Sequence, residues 1–472
     1  MFLSEYSIQI PPAHGDTSLL KHFEAEVATR LPEGVTPIRF AVTEGSQAGF
    51  HCEIGVMSQL PEGFGERESI FRFVRRTTSS GLGAFNVALV VPTGIGAEIG
   101  GHAGDAGPVV RMLGAVCDAV ITHPNVVNAS DVNEIPENGL YVEGSVLSRF
   151  LMGTVGLLPV RANRILVIID RHSDELFVSA AVNTVNAART SYGLDCSEVV
   201  QLDPPIRMSA AYAESGRAAG TVEGLERLCS LLASRRAEYD AVAISSVINV
   251  PPEYHSQYFE KAGDMVNPWG GVEAMLTHAV SVLLDVPSAH SPMFESREVS
   301  DADPGVVDPR MAAEAVSLSF LQSALKGLQR SPRLVTDPGE MSRADVLTSS
   351  NVSALIVPDG CLGLPTLAAL EQGIPVIAVR ENRNLMQNDL TLLPWEGGGF
   401  YRVENYWEAV GVVSALKAGV AAEAVRRPIQ GVELSTSSAH ALRKPIAPRS
   451  SQSAFGETPV AERHQPAKRS DR

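Results

Sequence analysis

Two histidines stand near acidic residues at the ends of β-branched runs, and that pairing can move protons. His102 and Asp105 close the segment VPTGIGAEIGGHAGD, residues 91–105. His123 opens a second segment, Thr122-His-Pro-Asn-Val-Val-Asn-Ala-Ser-Asp131. An imidazole exchanges protons near neutral pH, and a carboxylate beside it sets its orientation. His102 or His123 is therefore expected to act as proton donor or acceptor, with Asp105 or Asp131 orienting the ring. Asn125 and Asn128 are expected to hydrogen-bond a polar substrate. The alternatives are helix caps and turns, which Asx residues and histidines also make. The spacing fits no HExxH motif, so a divalent metal stays an open alternative without an assigned ligand set.

The first segment also holds Thr93 and five glycines, Gly94, Gly96, Gly100, Gly101 and Gly104. A glycine-rich turn entering a helix can present backbone amides to a phosphate, a carboxylate or a developing oxyanion. A tight turn that needs glycine for packing is the competing reading. Only Gly94-Ile-Gly96 matches the start of GxGxxG, and the P-loop lysine is missing, so no cofactor fingerprint is complete. Further along, Asn267-Pro-Trp-Gly-Gly271 precedes an expected helix. Asn267 is expected to position substrate, Gly270 and Gly271 to offer free amides, and Glu273 to sit on the first turn. His278 lies five residues beyond Glu273, off its face. His290 is expected in a loop that faces a pocket. Asp359 and Gly360 open Asp359-Gly-Cys-Leu-Gly-Leu-Pro365, a loop expected to receive a ligand. Cys361 within it is a nucleophile or a small buried residue. Arg310 and Glu314 are read as a surface pair on a long helix.

These loops must be held by alternating strands and helices. Strands are expected at Val87–Val91, Ala119–Thr122, Ile165–Asp170, Glu198–Leu202 and Ala241–Val247. Helices are expected at 107–117, 143–152, 174–192 and 220–238, and βα alternation implies a mostly parallel sheet. A second unit runs from a helix near Gly271 through a long helix at 309–328. It continues with strand Ala354–Val357, helix Pro365–Gln372, strand Val376–Val379 and a last helix, Tyr406–Lys417. The expected class is α/β: two Rossmann-like domains at 81–265 and 266–427. A small α+β leader at 1–80 precedes them, and a disordered, basic tail at 428–472 follows. Ligands of open α/β sheets bind beyond the carboxyl ends of the strands, where these polar residues cluster.

Composition narrows the functions. A formal charge of −16 argues against general affinity for nucleic acid or anionic membrane. Five scattered cysteines without a CxxC pair fit reduced thiols. Residues 1–30 lack the basic-then-apolar pattern of a signal peptide, and no run is apolar enough to span a bilayer. The expected location is cytoplasmic, and the expected partner is a small molecule, with a homo-oligomer left open.

The segments VPTGIGAEIGGHAGDAGP, THPNVVNASDVNE, NPWGGVEAMLTH, VDPRMAAEAVS and PDGCLGLPTLAALEQGIPVIAVREN resemble the family called domain of unknown function thirty-three twenty-six, found in bacteria, cyanobacteria and plants. The resemblance covers roughly residues 35–427. It implies a stand-alone soluble domain pair, consistent with an enzyme of small-molecule metabolism, and brings no reaction. The last of these segments is also loosely similar to nucleotide-sugar transferases, with Glu371 only approximately at the family's carboxylate position. The leading expectation is an enzyme acting on a small polar, anionic metabolite in an interdomain cleft, by hydrolysis, elimination or isomerisation. The alternatives are a transferase binding a nucleotide or nucleotide-sugar, and a non-catalytic ligand-binding protein.

Overall fold

In a computed structural model of the chain, the apolar run Phe85–Val91 contributes strand Asn86–Leu89 to the middle of a six-stranded sheet. The structure describes residues 1–434 apart from 14–17, 61–62, 66, 78–82, 197, 261–264, 318, 430 and 433. Most of the expected tail, from residue 435, lies outside the described residues. All the pairings in this sheet are parallel. Its order is Gly139–Tyr141, Ala119–Thr122, Asn86–Leu89, Val352–Pro358, Val376–Val379, Phe400–Val403. Counted along the chain that is 3-2-1-4-5-6, the doubly wound order. The interior strands are fully buried, as a sheet covered on both faces requires.

A second, ten-stranded sheet is mixed. Its middle comes from the expected leader. Phe2–Ile10 pairs antiparallel with Gly49–Ser58 and with Ala218–Glu223, and Val35–Ser46 pairs with Gly49–Ser58. The parallel strands Ile165–Asp170, Val199–Leu202, Ala241–Asn249 and Ser288–Met293 complete one side. The α/β class is as expected, but the arrangement is one parallel and one mixed sheet. Strand pairing crosses the expected limits at 80/81 and at 265/266: Phe2 pairs with Glu223, and Asn86 with Val352.

Most elements form where the local sequence places them. Ala119–Thr122, Ile165–Asp170, Val376–Val379 and Tyr406–Lys417 match to the residue. Glu175–Tyr192 starts on the Asp174 cap and stops at Gly193, whose φ of 67° suits glycine. Two expectations fail. Residues 218–223 are a strand rather than the start of a helix, hairpinned to Arg207–Tyr212. Residues 309–328 are not one helix but Pro309–Met311, Ala312–Ala315 and Leu321–Gln329. Ser317 interrupts them, its hydroxyl donating to Asp131 and to the Ser319 carbonyl.

Helix Gly270–Leu284 is buried along most of its length. It packs on strands Ala218–Glu223 and Ser288–Met293 of the mixed sheet, and on helix Gly144–Leu151, which packs in turn on Leu364–Gln372. The space between the sheets is bounded by these helices and by the loops leaving the parallel strands.

Candidate functional site

Three neighbouring parallel strands end toward the same space. Asn86–Leu89 leads to Thr93, Ala119–Thr122 to His123, Asn125 and Asn128, and Gly139–Tyr141 to Glu143 and Gly144. Helix Gly270–Leu284 brings Gly270, Glu273, Thr277 and His278 from the other side, and strand Ser288–Met293 brings His290. With Asn267, Trp269, Ser130 and Glu314 they line a cavity of about 220 Å³.

Two histidine–carboxylate pairs within hydrogen-bonding distance face this cavity; His255 and Glu295, 3.6 Å apart, are looser neighbours in its wall. His278 Nδ1 contacts Glu143 Oε1, and Glu143 also accepts from the Ser145 amide at 3.0 Å and from the Ser145 hydroxyl. Burial alone raises the Glu143 carboxyl, but His278 and the Ser145 donors outweigh it and bring it down to about 2. His290 Nδ1 lies 3.2 Å from Glu273 Oε1, and its Nε2 lies 2.7 Å from Ser246 Oγ. The sequence Ser246–His290–Glu273 has the connectivity of a nucleophilic triad. Ser246 is fully buried and absent from the cavity wall, so it fixes the ring from behind. The face of His290 is what a ligand meets.

A third carboxyl behaves differently. Glu314 Oε1 accepts from the Ala103 amide at 2.7 Å and from Asn267 Nδ2 at 3.4 Å. Burial, only partly offset by these donors and by Tyr258, raises it to about 7. One cavity thus holds a carboxylate at about 2 and a carboxyl at about 7, the separation from which acid and base roles are made. Glu314 is not the surface partner of Arg310, which instead pairs with Glu98 and Asp308.

His123 is in the wall, but its Nε2 accepts from the Val91 amide at 3.1 Å, and burial lowers it to about 4. It is a neutral ring whose only remaining donor is Nδ1–H. Asn125 donates to the Gly100 carbonyl at 2.7 Å, and Asn128 to the Tyr141 hydroxyl at 2.9 Å. Asn267 caps the helix start, accepting from the Trp269 and Gly270 amides. Of the expected residues, Thr93, His123, Asn125, Asn128, Asn267, Gly270, Glu273 and His290 meet here.

The others do not. His102 is buried with its Nδ1 2.7 Å from the Tyr258 hydroxyl, and burial lowers it to about 4. Asp105 turns back to the Gly100 amide at 2.5 Å, and burial raises it to about 7. Neither lines the cavity. Asp131 is taken by Ser317. Gly94, Gly96 and Gly100 have φ between 63° and 91°, so they serve the turn. A Cβ on Gly94 would lie 2.9 Å from that of Ala218, and Gly101 and Gly271 abut the Ala97 and Ala218 carbonyls. Four of the loop amides are already used: Glu98 by Arg383, Ile99 by Asn382, Gly100 by Asp105, Ala103 by Glu314. Of the glycines expected to cradle an anion, Gly100 thus has its amide taken from within. Asp359 pairs with Arg402, and Gly360 has a φ of 84° beside the Met386 carbonyl; both stand apart from this cavity. Among the described residues no lysine or arginine lines it. Among the described residues, no three His, Cys, Asp or Glu side chains gather to hold a metal ion.

Sequence reasoning missed Glu143, His278, Glu314 and Ser130. Ser130 has a φ of 57°, unusual for serine, and its buried hydroxyl has no protein partner among the described residues. Its neighbours Asn128 and Asp131 were the only signal.

The chain is thus an α/β protein with an acid- and imidazole-lined cavity at the carboxyl ends of a doubly wound sheet. Residues 86–426 match the model of the family described as Protein of unknown function (DUF3326), and the chain belongs to that family. The match opens on the first residue of the parallel sheet, not near residue 35, and takes in all six of its strands. The chain is similar to an uncharacterized lipoprotein of Synechococcus sp., 34% identical over 338 residues, covering 70% of this chain and 90% of that protein. No solved structure matches it. No helix among the described residues is long and apolar enough to cross a membrane.

Proposed function

We propose that the protein is an enzyme that moves protons on a small polar substrate held between the two sheets. The observation that carries this reading is the split of Glu143 and Glu314 to about 2 and about 7 within one cavity. Glu314, about half protonated at neutral pH, serves as general acid; its pKa lies where donation is most effective. His278, whose Nδ1 contacts ionised Glu143, is the base through its Nε2. His290, bonded through both ring nitrogens to Glu273 and Ser246, positions Glu273 in the wall. Asn125, Asn128, Ser130 and Thr93 provide hydrogen bonds to the substrate. Among the described residues, four glutamates and no lysine or arginine in the wall favour a neutral or cationic group over an anion. The reaction types this supports are isomerisation, elimination and hydrolysis. Five free, buried cysteines support a reducing compartment such as the cytoplasm.

The test is incubation of the purified protein with a pool of small metabolites, followed by mass spectrometry. A substrate that isomerises, loses water or adds water is expected, with turnover lowered about 100-fold or more in Glu314→Gln and His278→Gln. A pool left unchanged, or a conversion that survives both substitutions, refutes the reading.

A further inference from the structure

A second cavity, of about 140 Å³, adjoins the first. It lies at the carboxyl ends of Asn86–Leu89 and Val352–Pro358, bordered by Val90, Pro92, Val357 and Cys361. These two strands are where the doubly wound order reverses, and ligands of open parallel sheets bind at that point. In nucleotide-binding sheets this place takes a pyrophosphate on free loop amides. Here the amides of Glu98, Ile99 and Gly100 donate within the protein.

The walls are instead largely apolar, with Ile38, Phe40, Leu147, Val282, Leu364 and Met386 among them. Three arginines border the space, and each is already paired. Arg39 meets Glu5 at 3.1 Å, Arg217 meets Glu5 at 2.8 Å and Glu53 at 2.6 Å, and Arg149 meets Asp285 at 2.6 Å. Their charges are satisfied, which leaves little for an anionic ligand.

The two cavities share Thr93, His123, Gly144, Ala274 and His278. The non-imidazole members of this shared wall are small. A Cβ on Gly144 would come within 3.0 Å of His278 Cε1, so glycine here lets that ring pack close against the backbone.

We propose that the two cavities form one bipartite site, and that the substrate is amphipathic: a neutral or cationic polar head and a short apolar tail. The head lies among Glu273, Glu314 and His290, and the tail passes Gly144 and Ala274 into the chamber at the strand reversal. This rests on the polar cavity being the reactive site, and extends it by naming the substrate class.

The experiment is calorimetric titration of the whole protein with straight-chain primary amines of two to eight carbons, beside alcohols and carboxylates of equal length and a set of nucleotides. Affinity for amines or alcohols is expected to rise about fourfold per methylene and then level off when the chamber is full. Ala41→Leu narrows the chamber wall away from the acid–base groups. It is expected to bring the plateau forward by one or two carbons and leave the shortest members unaffected. No dependence on chain length, a plateau unmoved by Ala41→Leu in a folded variant, tighter binding of carboxylates or nucleotides, or no binding at all each overturns the proposal. If the length series behaves as expected while Glu314→Gln and His278→Gln leave turnover intact, the bipartite site stands and the proton-transfer reading falls.

Discussion

Glu314→Gln separates the carboxyl's charge from its shape. Glutamine keeps an oxygen for the Ala103 amide, so the change isolates the proton. In the folded protein burial raises this carboxyl to about 7, against an ordinary value of 4.5. Its stabilising contribution is fully present below pH 4.5 and is lost as pH rises through 7, because the folded state holds a proton that the unfolded state has released. The interval between the two values corresponds to about 3 kcal/mol. Chemical denaturation of both proteins at half-unit steps from pH 4.5 to 8.5 reads the difference directly. The stability of Glu314→Gln relative to the parent should climb by about 3 kcal/mol across that range and then flatten. A difference that stays constant with pH would mean Glu314 titrates as an ordinary carboxyl, and the acid role assigned to it would go with it. Asp105, also raised to about 7 by burial, titrates in the same window, so the comparison must be between variants and not along one curve.

Two further outcomes follow from packing. Gly104 has a φ of 70°, and a Cβ there would lie 2.5 Å from Ala129, so Gly104→Ala should lower stability by about 2–5 kcal/mol in a denaturant melt. All five cysteines are buried, and burial pushes Cys52 and Cys229 up to about 12 and Cys117 and Cys196 up to about 11. A disulfide exchange reagent at pH 8 should therefore titrate no thiol until denaturant is added, and rapid labelling of the folded protein would contradict the assigned burial.

The strand ends were legible because polar residues directly after β-branched runs are seldom accidental. Thr93, His123, Asn125 and Asn128 were found that way; His290, expected in a loop facing a pocket, lies on a strand and lines the cavity. Sequence could not say which way a loop side chain turns. His102 and Asp105 have the right chemistry, but the turn that Gly100 and Gly104 permit folds them inward. Glu143 opened an expected helix and caps it; its contact with His278 joins segments 135 residues apart. Glu314 was paired locally with Arg310 because four residues is one helical turn, and the helix that reading required is broken around Ser317. The strand pairs that cross the expected limits were hidden for a similar reason. Parallel pairing carries no local signature of which strand is the neighbour, so nothing near Asn86 announces Val352.

That pairing bears on how the molecule is made. Asn86–Leu89 is synthesised roughly 260 residues ahead of Val352–Pro358, the strand that covers its free edge. At ordinary elongation rates the wait is on the order of tens of seconds. During it, an apolar strand with no partner along one side stands open to other nascent chains, and the intervening residues must fold without closing off the place reserved for the late arrivals. A ribosome stalled anywhere before residue 352 leaves half a sheet, not a finished module, and such products are natural clients for chaperones and proteases.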